Sequence, residues 1–231
     1  MFKDFDKKYA AKTLDDIVFH SEAAKVIVED CVSGVVGFPA SGVNGILLWG
    51  TNGTGKTALA NILPDLIEVA RTGDVTGDVS FYSIAQGGDN GANVIEDIKK
   101  QAELEPFGKF RYIVMDEVDN LKTASMQSLK VAMNVSPKSC LFILTTNKLP
   151  AIDKGVVDRC IPVQFNAANE SLWLPLFYKV LADYDVVGVT DPQALAIIKP
   201  CNGSARKILT AARSLVVAYY RKHGKPLKLA A

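Results

Sequence analysis

Gly50-Thr51-Asn52-Gly53-Thr54-Gly55-Lys56-Thr57 is the stretch from which the fold of this chain is deduced. It matches the pattern G-x-x-x-x-G-K-[ST], whose glycines allow a tight turn with backbone N–H groups pointing at phosphate oxygens. Residues 46–49 before it are apolar and predict a short buried strand, and residues 57–63 after it predict a helix. The N-terminus of that helix adds partial positive charge at the same place. The order strand, loop, helix favours a nucleotide triphosphate site over a chance match in a glycine-bearing turn.

The residues of this loop have distinct expected roles. Lys56 is expected to reach the β- and γ-phosphates, and the hydroxyl of Thr57 to bind Mg²⁺. The residues expected to contact the nucleotide here are Gly50, Thr51, Asn52, Gly53, Thr54, Gly55, Lys56, Thr57 and Ala58.

Two adjacent acids, Asp116 and Glu117, follow another apolar run at residues 112–115. A carboxylate at the C-terminal end of such a strand is expected to lie beside Thr57 and to hold Mg²⁺ directly or through water. Glu117 is then expected to orient and polarise the attacking water. The alternative is a solvated strand end, and the presence of Lys56 favours the catalytic pair.

Strands and helices alternate up to residue 165, which predicts a parallel sheet of five strands with helices on both faces. Besides 46–49 and 112–115, the predicted strands are 79–85, 140–147 and 161–165, and Pro162 suits an edge strand. Asn147 ends its strand, where it could contact the γ-phosphate or the lytic water, or could be an ordinary turn residue. Ligands bind at the carboxyl edge of such sheets, where both motifs fall.

Other segments have clear local patterns. Helices are predicted at 21–32, with Ser21 as N-cap, and at 92–102 and 125–134, with loops at 34–44 and 86–91. Pro64 lies inside the helix after the phosphate loop, so a kink or restart is expected near Leu63. From Asn166 the pattern is helical only, at about 168–183, 192–199 and 204–222. We therefore expect a nucleotide-binding α/β domain at 1–165, a small all-helical lid domain at 166–224 and a tail at 225–231.

Composition indicates a cytoplasmic protein with a sizeable core. The chain has 231 residues, of which 48% are hydrophobic, but no apolar run long enough for a membrane span and no apolar segment typical of a signal peptide at its N-terminus. The four cysteines lack metal-binding spacing and are expected to be reduced and mostly buried. From Pro192 onward the chain carries eight basic residues and no acid. This basic segment could face DNA or an acidic neighbouring subunit, or could be a solvated helix face.

Arg206 lies in Gly203-Ser204-Ala205-Arg206, in the first turn of the last predicted helix. A cation there opposes the helix dipole, which favours a contact with an anion.

Taken together, these motifs resemble the AAA+ ATPases, and within them the clamp-loader group that includes replication factor C and the DNA polymerase III clamp loader. Residues 8–18 are similar to that group's N-terminal adenine-pocket segment, and residues 90–99 to the segment before its second carboxylate motif. Asp116-Glu117-Val118-Asp119-Asn120-Leu121 resembles its D-E-x-D-x-L box, and Thr145-Thr146-Asn147 its sensor 1 position. Asp158-Arg159-Cys160 resembles its S-R-C motif, with Asp158 in place of serine.

The resemblance implies further site residues. Ile17 and Val18 would contact the adenine of ATP, and Asn147 would sense the γ-phosphate. Arg206 would be the lid arginine that contacts the γ-phosphate of its own subunit. Arg159 would reach the ATP of a neighbouring subunit, so that the protein works as a ring or spiral, either as a homo-oligomer or with related subunits.

The chain also departs from that group. Ala10-Ala11 replaces the usual Arg-Pro after the lead-in tyrosine, and the helix at 125–134 keeps only part of an arginine-bearing pattern, with Lys130 near one such position. The chain ends after the lid, without the further helical collar of roughly 100 residues, a typical domain size. This favours a compact relative, such as a phage, plasmid or mobile-element replication ATPase or a helicase loader.

The function expected from the sequence is that of an oligomeric ATPase that uses ATP and Mg²⁺ to load or remodel a DNA-replication or DNA-processing complex. The alternative is an assembly scaffold in which ATP is a structural ligand with little turnover. A small-molecule kinase would leave the sensor-like residues unexplained. Candidate DNA contacts are Lys122, Thr123, Lys130 and the basic C-terminal segment.

Overall fold

A computed structural model describes residue 2 and residues 4–75, 78–84 and 91–224. The predicted loop at 86–91 lies outside the described residues except for Gly91, and the predicted tail at 225–231 lies wholly outside them. The chain forms two compact units. One unit comprises the residues from Ser21 to Gly50 and from Lys56 to Phe165. The other comprises the described residues within Met1–His20, Thr51–Gly55 and Asn166–Ala231. The division into domains at 1–165, 166–224 and 225–231 stays a prediction.

The larger unit is built on a five-stranded parallel sheet, as the alternation of strands and helices predicted. The strand order is β2-β3-β4-β1-β5. Pro162 therefore lies on an edge strand, as expected, because its missing N–H breaks no ladder on the open side. The strands are β1 Gly45–Gly50, β2 Val79–Ser83, β3 Arg111–Asp116, β4 Cys140–Thr146 and β5 Cys160–Phe165.

Most of the helices follow the predicted segments, but the short helices at Phe5–Lys8 and Lys154–Val157 were not predicted. The helices are α1 Phe5–Lys8, α2 Glu22–Ser33, α3 Lys56–Thr72, α4 Ala92–Ala102, α5 Thr123–Val135, α6 Lys154–Val157, α7 Leu174–Ala182, α8 Asp191–Ile198 and α9 Ala205–Lys222. Short 3₁₀ turns lie at Leu14–Asp16, Val118–Asn120, Leu149–Ala151, Glu170–Trp173 and Lys199–Cys201.

Two details concern the ends and continuity of these helices. Ser21 caps α2 by accepting a hydrogen bond from the Ala24 N–H at 3.3 Å, as predicted. Of the kink or restart expected near Leu63, the restart is wrong, because Pro64 is inside one uninterrupted helix, and the kink stays a prediction. Leu63 and Ile67 are both fully buried, so packing on the sheet compensates for the lost backbone hydrogen bond.

The core of the larger unit surrounds β3 and β4. Every residue of β4 is buried, and so are the first five residues of β3, because central parallel strands are covered on both faces. Strand β2 alternates between exposed and half-buried residues, as an edge strand does. The four cysteines are free and buried, as predicted, and burial raises the pKa of Cys140 to about 12.

The smaller unit has a core of its own, built from the helices after residue 166 and from α1. Trp173, Phe177 and Ile208 are buried at its centre, and Phe5 from α1 packs into the same cluster. None of the helices in the described residues is both long enough and apolar enough to cross a membrane.

Candidate nucleotide-binding site

Strand order brings the predicted motifs of the larger unit to one edge of the sheet. Strand β4 lies between β1 and β3, with Trp49 opposite Thr146 and Met115 opposite Leu144. Gly50, Asp116 and Asn147 stand at or just after the ends of these neighbouring strands. Because the strands are parallel, all three lie at the carboxyl edge, where open α/β sheets bind ligands.

The first residue of the phosphate loop has to be glycine. Gly50 has a φ of +137°, and a Cβ at this position would overlap the carbonyl group of Phe165 on β5. A side chain here would force the end of β1 away from β5, so the loop could not leave the sheet at this point.

Lys56 lies buried at the start of α3. Its side chain is 6% exposed, and its ammonium donates to the Gly50 carbonyl oxygen at 3.0 Å. Burial lowers the pKa of Lys56, while Asp116, Asp119 and Glu117 act in the opposite direction. An ammonium removed from water attracts an incoming anion more strongly than an exposed lysine does, because screening by water is weaker.

Asp116 is held by two threonine hydroxyls from different elements. Thr57 on α3 donates to Asp116 Oδ1 at 2.8 Å, and Thr145 on β4 donates to the same oxygen at 2.5 Å. The predicted metal pair, Thr57 and Asp116, is therefore in direct contact. The role of Thr145 has no signal in the sequence, because a hydroxyl at the end of an apolar strand has no distinctive pattern.

Glu117 follows in a left-handed backbone conformation, with φ of 59° and ψ of 48°. Its side chain is exposed, and the Glu117 N–H donates to the Thr145 hydroxyl at 3.0 Å. Its carboxylate accepts a hydrogen bond from Asn120 Nδ2 at 3.2 Å, and the same nitrogen donates to the Ile84 carbonyl oxygen at 2.8 Å. A non-glycine residue in this conformation costs free energy, and such outliers concentrate at functional sites.

The backbone of Asn147 is held by Asp119, the second aspartate of the acidic box Asp116–Leu121. Asp119 Oδ1 accepts from the Thr146 hydroxyl at 2.9 Å and from the Asn147 N–H at 3.4 Å. The second aspartate of the box therefore ties the turn after β3 to the end of β4. The Asn147 side chain is half-buried.

Metal binding is consistent with this set of oxygen atoms. Among the described residues no three His, Cys, Asp or Glu side chains converge as a metal cluster. Mg²⁺ at nucleotide sites commonly uses one or two protein oxygens together with waters and substrate phosphates. Thr57 and Asp116 supply hard oxygen donors of that kind.

Arg159 lies between α6 and β5 and is half-buried. One of its terminal nitrogens donates to the Gly155 carbonyl oxygen at 2.6 Å, and the other to Asn134 Oδ1 at 2.9 Å. The side chain is therefore partly exposed, and two hydrogen bonds hold its guanidinium.

The middle of the phosphate loop, Thr51–Gly55, belongs to the smaller unit together with α9. The Gly53 carbonyl oxygen accepts from the Ala205 N–H at 3.0 Å, and a Cβ on Gly53 would lie 2.5 Å from Ser204 Oγ. Ser204 caps α9, as predicted, by accepting from the Lys207 N–H at 3.4 Å. Arg206 is exposed in the first turn of this helix, directly after the residue that bonds to the loop.

Ile17 and Val18 lie in the same unit. Ile17 is buried and closes the 3₁₀ turn Leu14–Asp16, its N–H donating to the Leu14 carbonyl oxygen at 3.0 Å. Val18 packs against the helical core. The turn before them is held by hydrogen bonds from Thr13 to Asp16. Contact of Ile17 and Val18 with adenine stays a prediction.

The candidate DNA contacts differ in how they are held. Lys122 and Thr123 are exposed, whereas Lys130 is paired with Asp153 at 3.5 Å. The guanidinium of Arg213 lies 5.6 Å from the ring centre of Phe5. The exposed basic residues from Pro192 onward are Lys199, Arg206, Lys207, Arg221 and Lys222, and the other two, Lys225 and Lys228, lie outside the described residues.

Several known proteins are similar to this chain in sequence. Replication factor C small subunit 2 of Pyrobaculum arsenaticum is 27% identical over 212 residues, which cover 89% of this chain and 61% of the relative. The replication factor C small subunit of Archaeoglobus fulgidus is 27% identical over 216 residues, which cover 91% of this chain and 63% of the relative. The chain thus spans less than two thirds of the length of these curated relatives.

Solved structures show the same fold at lower identity. The Thermotoga maritima RuvB Holliday junction branch migration motor superposes with a TM-score of 0.67 at 18% identity, covering 91% of this chain and 67% of RuvB. PCH-2 of C. elegans superposes with a TM-score of 0.60 at 15% identity, covering 96% and 68% of the two chains. The sequence model of the ATPase family associated with various cellular activities (AAA) matches residues 46–166, just over half of the chain. With its phosphate loop, its acidic strand end and its five-stranded parallel sheet, this chain belongs to the AAA ATPase family.

Proposed function

We propose that this chain binds ATP with Mg²⁺ and hydrolyses it within an oligomer that loads or remodels a DNA-replication or DNA-processing complex. The observation that carries the proposal is the contact of Asp116 Oδ1 with the hydroxyls of Thr57 and Thr145, with Glu117 as the next residue. The replication role is supported by the similarity to replication factor C small subunits, at 27% identity.

The phosphate-binding part of the proposal assigns Lys56 and the N–H groups of residues 50–58 to the triphosphate. Lys56 already donates to the Gly50 carbonyl oxygen, so its ammonium lies at the phosphate loop. Arg206 contacts the γ-phosphate, a role supported by the hydrogen bond between the start of α9 and Gly53. Ile17 and Val18 contact the adenine.

The catalytic part assigns Thr57 and Asp116 to Mg²⁺ and Glu117 to the attacking water. Bound Mg²⁺ supplies neutralisation of the charge that develops on the phosphate oxygens. Glu117 accepts the proton of the water, and its carboxylate is exposed next to Asp116 in the sequence. Asn147 orients the water or the γ-phosphate, from a turn held by Asp119.

The oligomeric part assigns Arg159 to the nucleotide of a neighbouring subunit. An arginine supplied in this way can raise turnover by about 10³-fold or more, because it stabilises charge on the transferring phosphoryl group. Its two hydrogen bonds use neutral oxygens, so its positive charge is not cancelled by those partners.

One experiment tests the central claim. Phosphate release per protomer is measured as a function of protein concentration, for the wild type and for Arg159→Ala. Turnover is expected to rise as protomers assemble and to fall by about 10³-fold in Arg159→Ala, with ATP affinity nearly unchanged. Lys154→Ala is the matched control, because it removes an exposed cation from α6 close to Arg159 in the sequence. Wild-type turnover in Arg159→Ala would refute the assignment in trans.

A second candidate function is an assembly scaffold in which bound ATP has little turnover. It is favoured by the two hydrogen bonds that keep Arg159 within its own chain. In that case the oligomer forms when ATP binds, and phosphate release stays flat while the oligomer forms. The concentration series above therefore separates the two candidates.

DNA binding is tested separately by its dependence on salt. Contacts between DNA phosphates and Lys122, Thr123 or the exposed lysines and arginines of α9 would make the affinity for DNA fall steeply as salt concentration rises. Binding of a short duplex is measured at several salt concentrations, and an affinity that does not change would remove DNA from the proposed partners.

A further inference from the structure

We infer that Asn134 is a positioning residue for Arg159, because its side-chain oxygen fixes the orientation of the guanidinium at the protein surface. The inference rests on the proposed function, in which Arg159 acts on the nucleotide of a neighbouring protomer. Asn134 lies in the last turn of α5 and belongs to none of the motifs found in the sequence.

The guanidinium is held at two separate nitrogens. One donates to the Gly155 carbonyl oxygen at 2.6 Å and the other to Asn134 Oδ1 at 2.9 Å. A guanidinium is planar and carries five N–H donors, so two bonds at different nitrogens define its plane while other donors remain for a phosphate. With only one of these bonds, the group could rotate about the remaining contact.

The two acceptors come from elements that are themselves pinned. Asn44 Nδ2 donates to the Met133 carbonyl oxygen at 2.9 Å, which anchors the end of α5 next to Asn134. The N–H groups of Asn44 and Gly45 donate to the Arg159 carbonyl oxygen at 3.1 and 2.9 Å. The start of β1 thus fixes both the main chain of Arg159 and the helix end that carries its partner.

The other acceptor depends on close packing of α5 against α6. A Cβ on Gly155 would overlap the aliphatic stem of Lys130 on α5. The two helices are therefore in direct contact here, and the Gly155 carbonyl oxygen and Asn134 Oδ1 both reach one guanidinium.

The exposure of the contact separates a positioning role from a stabilising one. Asn134 is exposed and Arg159 only half-buried, and a solvent-exposed hydrogen bond adds little to the free energy of unfolding. An arginine side chain has several rotatable bonds, so holding it before a neighbour arrives lowers the entropy lost when it engages the nucleotide. Removing Asn134 Oδ1 should therefore lower turnover with little effect on stability or on ATP affinity.

The test compares Asn134→Ala with Asn134→Gln, which keeps a neutral amide oxygen as an acceptor. We expect Asn134→Ala to lower kcat about 3- to 10-fold at unchanged KM, the range of a single hydrogen bond, and Asn134→Gln to restore part of it. Ser128→Ala is the control, because it removes a hydrogen bond to the Ala124 carbonyl oxygen on the same helix. Urea denaturation is used first to check that each variant has the same free energy of unfolding as the wild type.

Two further measurements tie the effect to Arg159 in trans. In an Arg159→Ala background, Asn134→Ala should have no additional effect on kcat. Protomers of Lys56→Met, which keep Arg159 and Asn134, should restore turnover when mixed with Asn134→Ala protomers, whereas Ser128→Ala protomers need no rescue. Wild-type kcat in Asn134→Ala, or an equal loss in the presence and absence of Arg159, would overturn the inference.

The outcomes also separate this inference from the proposed function. If Arg159→Ala itself turns over at the wild-type rate, the proposed function fails and the positioning role fails with it. If Arg159→Ala is defective while Asn134→Ala is not, only the positioning role is overturned.

Discussion

The two ends of strand β3 both carry charged residues, and they use them in opposite ways. Arg111 begins the strand and is buried, with its guanidinium 3.3 Å from Asp78. Asp116 ends the strand half-buried and contacts two hydroxyl groups. The amino end of β3 therefore belongs to a buried network of paired charges, which we call the closed network. Its carboxyl end belongs to a partly exposed set of polar groups, which we call the open end.

At the amino end, buried carboxylates are paired with strong donors. Asp78 accepts from the Phe107 and Gly108 N–H groups at 2.7 and 3.2 Å, in addition to Arg111. Glu68 accepts from the Tyr112 hydroxyl at 2.8 Å and from the Lys109 N–H. Burial and the neighbouring Glu68 raise the pKa of Tyr112, so this hydroxyl remains a donor.

At the carboxyl end, the partners of Asp116 are hydroxyl groups, and part of the site is open to water. Thr57 and Glu117 are exposed. A threonine hydroxyl can both donate and accept, and it can change partner by rotating, which an ion pair or a main-chain N–H cannot do. The difference indicates that the amino end serves stability and the carboxyl end serves binding.

The largest effect is expected from breaking the closed network. Asp78→Ala leaves Arg111 buried without its partner carboxylate, together with two main-chain N–H groups. We expect the free energy of unfolding to fall by about 3–5 kcal/mol, measured by urea denaturation. Glu103→Ala, which removes an exposed carboxylate, is the control, and an equal loss in both variants would contradict the comparison.

Removing the lysine at the carboxyl end should lower nucleotide affinity without lowering the free energy of unfolding. Lys56→Met keeps the length of the side chain but removes the ammonium, so nucleotide affinity is expected to fall about 10- to 100-fold. The free energy of unfolding should stay unchanged or increase, because burial disfavours the charged form of Lys56. Calorimetric titration and urea denaturation measure the two quantities, and a loss of stability comparable to that of Asp78→Ala would show that both ends are structural.

Nucleotide binding should also weaken in alkaline solution. The pKa of Lys56 is lowered by burial, and the protonated form is the one that binds phosphate. As pH rises through this lowered pKa, the proton is lost and affinity falls, at a lower pH than for an ordinary lysine. Lys56→Arg stays charged and should abolish this alkaline loss, and an identical pH profile in both proteins would assign the loss to another group.

The smallest effect is expected from relieving the backbone of Glu117. Glu117→Gly should raise the free energy of unfolding by up to ~1 kcal/mol, because glycine adopts the left-handed conformation without steric cost. Phosphate release should be lost at the same time. Asp185, with a φ of 52°, is the control, since Asp185→Gly should gain similar stability and keep turnover. A loss of stability in Glu117→Gly would mean that its side chain stabilises the fold.

Much of the fold could be predicted from the chain alone. The apolar runs marked all five strands, and α2, α4, α5, α8 and α9 fell within a few residues of their predicted bounds. Helix α7 begins at Leu174 rather than at about 168, because a 3₁₀ turn at Glu170–Trp173 precedes it. Another exception was Pro64, where a local rule predicted a possible restart and packing of Leu63 and Ile67 kept one helix. Periodicity predicts segments well because it reports which side of each segment faces a core.

The site divides in the same way. The amino-acid sequence alone determined the phosphate loop, the acidic strand end and the family resemblance, because those features are runs of adjacent residues whose chemistry is local. Only the tertiary structure decided that Thr145 would hold Asp116, that Asp119 would hold the turn at Asn147, and that Asn134 and Gly155 would hold Arg159. Those contacts depend on β4 lying between β1 and β3 and on α6 packing against α5, and such long-range pairings leave no periodic trace in a single sequence.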